Sequence, residues 1–338
     1  MKIVSLAVMK NAWNMMRMMS ILLLLALVFL GSSCTRLNLQ AAKALSTTGQ
    51  NVATQAQNAA SVSDDEIRRA QESEAFQHGY TGTTQTAQYK EIVSLLQDIT
   101  QELNQRAQVF RKLADLYEAF GVLASMDYGA QTEKALGDLG AAIDGYATAI
   151  KQPLPQISSA TGILSSIGGI IASRVQQAKV KAASKQIRAR DEAFLNLMSN
   201  PLVRKQFTDF KKFCLSEWSV ALKILWNLDI YNPKPLLDDI GAPAGLVSRD
   251  GAAELVKSNP NLKAALSGIL QSRLDTQGKL IEQIYDASLD ALKGLIAQHK
   301  QLEQGTPVDL ARLRAIADQL QSLASQLGGM IKAKTVSK

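Results

Sequence analysis

The clearest pattern along the chain is an apolar stripe between residues 88 and 126. Its side chains recur at alternating spacings of four and three residues, which is the spacing of one face of an α-helix. A helix of this length extends for about 60 Å. Arg106 is the polar member of the stripe. The stripe comprises Ile92, Leu96, Ile99, Leu103, Arg106, Phe110, Leu113, Tyr117, Phe120 and Ala124.

A shorter stripe follows the turn-like sequence DYGAQ at residues 127–131. Pro153 and Pro155 end it, because proline cannot continue a helix. The two stripes therefore predict an antiparallel helical hairpin. The second stripe comprises Leu136, Leu139, Ile143, Tyr146 and Ile150.

Residues 252–338 repeat this arrangement and predict a second antiparallel hairpin. The sequence EQGTPVD at 303–309 is typical of a turn, with Thr306 as a helix cap and Pro307 at the first helical position. The first stripe comprises Leu270, Leu274, Ile281, Tyr285, Leu292, Leu295, His299 and Leu302. The second comprises Leu310, Leu313, Ala317, Leu320, Ala324, Leu327 and Ile331.

The middle region, residues 191–251, predicts helix from Asp191 to Leu228 with an interruption near Pro201. Its aromatic residues favour a core over a ligand pocket; they are Phe207, Phe210, Phe213, Trp218 and Trp226. Residues 231–251 look irregular and are the natural place for a binding loop. Asp238 and Asp239 in that loop favour a turn or a cap over a cation site. With no convincing strand pattern, we predict an all-α fold, an elongated bundle of long antiparallel hairpins.

Residues 34–62 are rich in Ala, Gln, Thr and Ser and carry only a weak apolar stripe. They indicate a tether or a loosely packed helix. A new helix is expected at Ser63, with Glu66 three residues later as a capping box, and it opens a helical region from 63 to 190. The sequence HGYTGTT at 78–84 should break the chain before the next helix.

Residues 1–33 have the layout of a secretory signal peptide. Basic residues precede an apolar run from Met18 to Leu30, and this run is too short to span a membrane, which takes about 20 residues. Removing the three basic residues of this segment from the formal charge of +7 leaves about +4. That excess is modest, and we expect no nucleic-acid partner.

The run Leu30-Gly31-Ser32-Ser33-Cys34 resembles the lipobox of bacterial lipoproteins. The resemblance implies that the sulfur of Cys34 receives a diacylglyceryl group, with acyl chains such as palmitate, and that the chain is then cleaved just before Cys34. Thr35 rather than Asp after the cysteine implies sorting to the outer membrane. Gly31 departs from the usual branched aliphatic residue, so ordinary cleavage and release of a soluble protein is the alternative.

Residues 152–173 carry no charge, and small residues recur there every four positions. A basic helical face follows, placed opposite Val175, Ala178 and Ala182. The segment could enter a membrane or could be a tightly packed core helix, and the second interpretation is favoured because the fully apolar part is short. The residues concerned are Gly162, Ile167, Gly168, Gly169, Arg174, Lys181, Lys185 and Arg188.

Chemically reactive residues are few. Cys214 lies among apolar neighbours and is expected to be a buried, inert thiol. His299 lies on an apolar stripe and should be a core histidine, whereas His78 should be solvated. No common catalytic, nucleotide-binding or metal-binding motif is found, so we expect no cofactor, no metal and no catalysis.

The first hypothesis is therefore an outer-membrane envelope lipoprotein that acts as a helical interaction module. Its partner would be another envelope protein or a second copy of the chain. The second hypothesis is a pore-forming-like membrane-active protein that uses residues 152–190. The third is a periplasmic ligand-binding protein or enzyme with a pocket near 231–251.

Overall fold

The computed structural model describes residues 38–83, 85–125, 129–151, 172–227, 233–241, 245 and 251–332. These ranges contain helices and no strand, so the all-α prediction is confirmed. The helices are α1 (Leu39–Thr81), α2 (Ala87–Ser125), α3 (Gly129–Ala149), α4 (Ala172–Ser199), α5 (Pro201–Asn227), α6 (Lys234–Gly241), α7 (Ala252–Ser258), α8 (Pro260–Gln304) and α9 (Ala311–Lys332).

The apolar stripes form the core. The structure buries every stripe residue of α2 and α8, including the polar Arg106 and His299. It also buries every residue of the stripe that runs through α3 to Ile150. In α9 the stripe is buried through Leu327, with Ala324 half-buried. The side chain of Ile331 lies outside the described residues. Long helices with one apolar face each are thus held together mainly by burial of that face.

Helices α2 and α3 pack antiparallel. Thr132, at the start of α3, donates a hydrogen bond to the carbonyl of Ala119 near the end of α2 (3.1 Å). At the other end of α3, Lys151 Nζ lies 3.6 Å from Asp98 Oδ2, earlier on α2. This pairing is consistent with the predicted first hairpin.

The turn between α8 and α9 differs in detail from the prediction. Gly305 ends α8 in the left-handed conformation (φ 72°). Helix α9 begins at Ala311, and Asp309 caps it by accepting the Ala311 N–H (3.1 Å). Thr306 instead donates to the carbonyl of Gln301, so its predicted role as the cap is wrong.

Residues 34–62 were expected to be a tether or a loosely packed helix, and from Leu39 onwards the structure shows a helix; the expected helix start at Ser63 is wrong. Asn38 caps α1 by accepting the N–H groups of Gln40 and Ala41, and the helix then runs for 43 residues to Thr81. Ser63 lies inside it and donates to the carbonyl of Ala59 (2.9 Å). The capping-box pattern failed because a serine inside a helix can bond back to the preceding turn.

Helix α1 is also the centre of the bundle, because it contacts α2, α4, α5, α8 and α9. Its packing on α2 is close and antiparallel. Gly49 faces the ring of Tyr117, and the Ser46 hydroxyl donates to the Tyr117 carbonyl (2.5 Å). Many core positions of α1 hold small residues, among them Ala42, Ala53, Ala56 and Ala59, all fully buried.

The middle region is more regular than predicted. The interruption near Pro201 is confirmed, since α4 ends at Ser199 and Asn200 accepts the Leu202 N–H (2.9 Å) at the start of α5. Residues 234–241, expected to be irregular, form α6. Asp238 and Asp239 lie within this helix and pair with Lys234 and Arg273 respectively.

Candidate functional site

The predicted lipidation site and the predicted small-residue segment fall outside the described residues. This holds for Cys34, Gly162, Ile167, Gly168 and Gly169. No helix in the described ranges combines the length and the apolarity that a membrane span requires.

The basic residues after that segment lie on α4. Arg174 lies in its first turn, and the side chains of Lys181 and Lys185 are exposed. Arg188 is less exposed and pairs with Glu192 (2.7 Å) and with Glu303 of α8 (2.9 Å). Its charge is therefore largely neutralised by carboxylates of the protein itself.

The prediction that Val175, Ala178 and Ala182 form the apolar face of α4 is wrong. The fully buried residues of this helix are Val180, Ala183 and Ile187, whereas Ala178 is exposed and Val175 and Ala182 are only half-buried. Residues 180, 183 and 187 share one helical face by their spacing of three and four. The basic face predicted from Lys181, Lys185 and Arg188 is retained.

A polar network centred on His299 joins α2, α4 and α8. The Ser184 hydroxyl lies 2.8 Å from His299 Nδ1, and the Tyr117 hydroxyl lies 2.9 Å from Nε2. Tyr117 also donates to Asp191 Oδ2 (3.4 Å). Each of the four side chains is at most 1% exposed. The predicted core histidine is thus confirmed.

Burial decides the charge of this network. It lowers the pKa of His299 to about 3, with a smaller contribution from the Arg188 charge. A neutral imidazole has one donor and one acceptor nitrogen, and here each nitrogen meets a hydroxyl. Burial also raises the pKa of Asp191 well above its usual range, partly offset by the hydrogen bond from Tyr117. Ser184 and His299 have the composition of a nucleophile and its base, but solvent does not reach them, so the network serves to fix three helices.

Removing one hydroxyl tests that role. We expect Tyr117→Phe to lower the free energy of unfolding at pH 7 by about 1–2 kcal/mol, because His299 and Asp191 each lose a buried partner. Urea unfolding followed by circular dichroism measures it. Tyr89→Phe, at a half-buried ring beside His78, is the matched control and should change little. Equal stability of Tyr117→Phe and the parent would contradict the role.

The prediction that His78 is solvated is wrong. His78 is half-buried near the end of α1, and its Nδ1 lies 2.6 Å from the Thr83 hydroxyl. Its ring also packs on Tyr89 at 4.7 Å between ring centres. These contacts secure the turn between α1 and α2.

A second buried polar cluster surrounds Arg106 of α2. Its guanidinium carbon lies 5.0 Å from the centre of the Phe207 ring and 5.2 Å from that of Tyr285, which is within cation–π range. Glu102 lies one turn earlier on α2 and is 3% exposed. Within the described ranges, Glu102 Oε1 and Arg106 Nη1 have no hydrogen-bond partner.

The carboxyl groups near Arg106 are shifted towards their neutral forms. Burial raises the pKa of Glu102 to about 7, against the opposing effect of the Arg106 charge. Burial, helped by the neighbouring Asp65, raises the pKa of Asp64 of α1 to about 6, although Arg68 and Arg106 oppose it. Both groups therefore titrate close to neutral pH.

The predicted aromatic core is confirmed for Phe207, which is buried and stacks on Tyr285 at 4.4 Å between ring centres. Phe213 is half-buried and packs against the same core. The side chains of Phe210, Cys214, Trp218 and Trp226 lie outside the described residues, so their predicted burial stays a prediction.

An open groove of about 470 Å³ lies between α8 and α9 beside α6. Its polar wall includes the ion pair of Arg273 Nη1 with Asp239 Oδ2 (2.5 Å) and the buried side chain of Gln277. Leu280 and Met330 supply apolar surface. Asp239 belongs to the segment 231–251, where the sequence placed a pocket, but the other lining residues come from the C-terminal hairpin and could not be assigned to it from the sequence.

A second groove of about 490 Å³ lies between α1 and α2. Small side chains line much of it, including Ser46, Thr47, Gly121 and Ser125. Its position follows from the close packing of α1 on α2, which the sequence did not predict.

Across the described ranges, no three His, Cys, Asp or Glu residues are grouped as metal ligands. No protein-family model, curated protein or solved structure matches the chain.

Proposed function

We propose that the protein is a bacterial lipoprotein of the outer membrane that acts as a non-catalytic helical interaction module. The observation that carries the proposal is the position of the lipobox-like cysteine relative to α1. Only Thr35, Arg36 and Leu37 separate Cys34 from Asn38, the cap of α1. Four residues span at most about 14 Å, so an acyl anchor on Cys34 would hold the central helix of the bundle close to the membrane surface.

Exposed apolar side chains support contact with a partner at the opposite end of α1. Phe76 and Tyr80 lie near the C-terminus of α1 and are 55% and 57% exposed. Val220 is exposed on α5 beside Ser219, which bonds to Gln271 near the start of α8. Exposed large apolar residues at one end of a bundle suit a protein interface, and the partner is another envelope protein or a second copy of the chain.

Intact-mass spectrometry of the membrane-extracted protein tests the anchor. We expect at least the mass of a chain that begins at Cys34 plus a diacylglyceryl group, because the lipobox resemblance implies that modification. The increment should vanish in Cys34→Ser and persist in the control Cys214→Ser. A soluble parent chain without the increment would contradict the proposal. Mild crosslinking before extraction tests the interaction role, and a chain recovered strictly as a monomer would contradict it.

A further inference from the structure

The groove between α8 and α9 opens where the hairpin is no longer tightly packed. Near the turn the two helices are in close contact, since a Cβ on Gly294 would lie 2.7 Å from Leu313 Cδ2. Further from the turn, the groove separates α8 residues around Gln277 from α9 residues around Gln326 and Met330. The gap is thus a defined feature of one end of the hairpin.

Gln277 is an unusual residue for the floor of this groove. It lies three residues after Leu274 and four before Ile281, so it occupies a core position of the α8 stripe. It is 1% exposed, and its Oε1 has no hydrogen-bond donor in the part of the chain that the structure describes. Burying an unpaired amide oxygen is costly, so a leucine would serve folding better at this position. The glutamine is better explained by a group that enters the groove.

Arg273 and Asp239 provide a matched donor and acceptor at the side of the groove. Their contact joins one guanidinium nitrogen, Nη1, to one carboxylate oxygen, Oδ2. Their side chains are 29% and 32% exposed. A guanidinium has five N–H donors, so among the residues that the structure describes the pair has donors and a carboxylate oxygen left for a further group. The complement of such a pair is a group with an acceptor and a donor side by side, as in a peptide unit.

We propose that this groove binds a short peptide segment. The backbone carbonyl and N–H groups of the peptide bond to Arg273, Asp239 and Gln277, and an apolar side chain packs on Leu280 and Met330. A volume of about 470 Å³ falls in the usual range of ligand pockets and accommodates a few residues. Binding does not depend on acylation of Cys34, so the site adds to the proposed lipoprotein function and is separable from it.

Equilibrium dialysis of the full chain in detergent tests the site with two tripeptides. One is free Ala-Leu-Ala, and the other is the same peptide with an acetylated N-terminus and an amidated C-terminus. We expect saturable binding of at least one, with a Kd below about 1 mM. Binding of both indicates backbone recognition, and binding of the free form alone indicates recognition of a peptide end; either supports the site. No saturable binding of either at up to about 10 mM overturns it.

Variants locate the binding. Arg273→Ala should weaken it at least about tenfold, since its hydrogen bonds to the peptide are lost. Gln277→Leu should weaken it as well while raising the melting temperature, a combination that general unfolding cannot produce. Arg204→Ala, which removes the ion pair with Asp286 on another face of α8, is the matched control and should bind normally. Binding that persists in both groove variants would overturn the assignment. Cys34→Ser should bind like the parent, so failure of the lipid anchor leaves this test intact.

Discussion

Gly49→Ala is expected to destabilise the protein by about 3 kcal/mol, the upper end of the usual cost of overpacking a core. A Cβ at this position would lie 2.4 Å from two carbons of the Tyr117 ring. The ring cannot move aside easily, because its hydroxyl bonds to His299 and Asp191 in the sealed polar network. The added methyl group must therefore push α1 away from α2.

Urea unfolding of the purified protein at pH 7 measures this effect. Gly137→Ala is the matched control, because Gly137 is also inside a helix but a Cβ there meets no atom of the described residues within 4 Å. That control should be more stable than the parent by up to about 1 kcal/mol, since alanine is the better helix former. A Gly49→Ala protein as stable as this control would mean that residues 39–62 are not packed in the core.

The same helix marks the limit of what the sequence could predict. The stripes of α2, α3, α8 and α9 were readable because Leu, Ile and Phe give each position a large apolar signal. In α1 the buried positions are filled by residues such as Ala42, Ala56 and Ser46. Each small residue buries little area, but it lets the two helix backbones approach closely. The stabilisation from this close packing depends on the surface of the partner helix, which the periodicity of the sequence does not show.

The polar clusters were predictable only in part. Arg106 and His299 were found at core positions because they interrupt apolar stripes. Asp64 could not be placed beside Arg106 from the sequence, because that contact depends on the packing of α1 on α2. Gln277 fits a gap in the α8 stripe that could have been noticed, but the groove beside it depends on the opening between α8 and α9. The position of a residue on a stripe can be read from the nearby sequence, whereas the residues that its side chain contacts depend on how the helices pack.

Glu102→Gln is expected to stabilise the protein at pH 8 by about 3 kcal/mol and to have almost no effect at pH 4. Glutamine has nearly the shape of the protonated glutamate but cannot ionise. Ionised Glu102 is poorly compensated, because its Oε1 has no hydrogen-bond partner within the described ranges and the Arg106 charge offsets only part of the cost of burial. Arg106 in turn retains its ring contacts with Phe207 and Tyr285 when the carboxylate is removed. The free energy needed to desolvate a buried charge without a direct partner exceeds the free energy gained from its attraction to a more distant opposite charge.

The direction of the pH effect follows from the folded-state pKa of Glu102, about 7, which lies above the ordinary value of 4.5. The folded protein binds this proton more tightly than the unfolded chain. The resulting stability is complete below pH 4.5 and is lost as the pH rises through about 7. His299 acts oppositely: with its pKa lowered to about 3, its contribution to stability is present above pH 6.5 and is lost as the pH falls towards 3.

Urea unfolding from pH 4 to pH 8 measures the free energy of unfolding of the variant minus that of the parent. This difference isolates the contribution of Glu102, because His299 is common to both proteins. Glu91→Gln, which removes a carboxyl group at an exposed position of α2, is the control. A Glu102→Gln protein less stable than the parent at pH 8 would show instead that Glu102 and Arg106 stabilise the folded state as an ion pair.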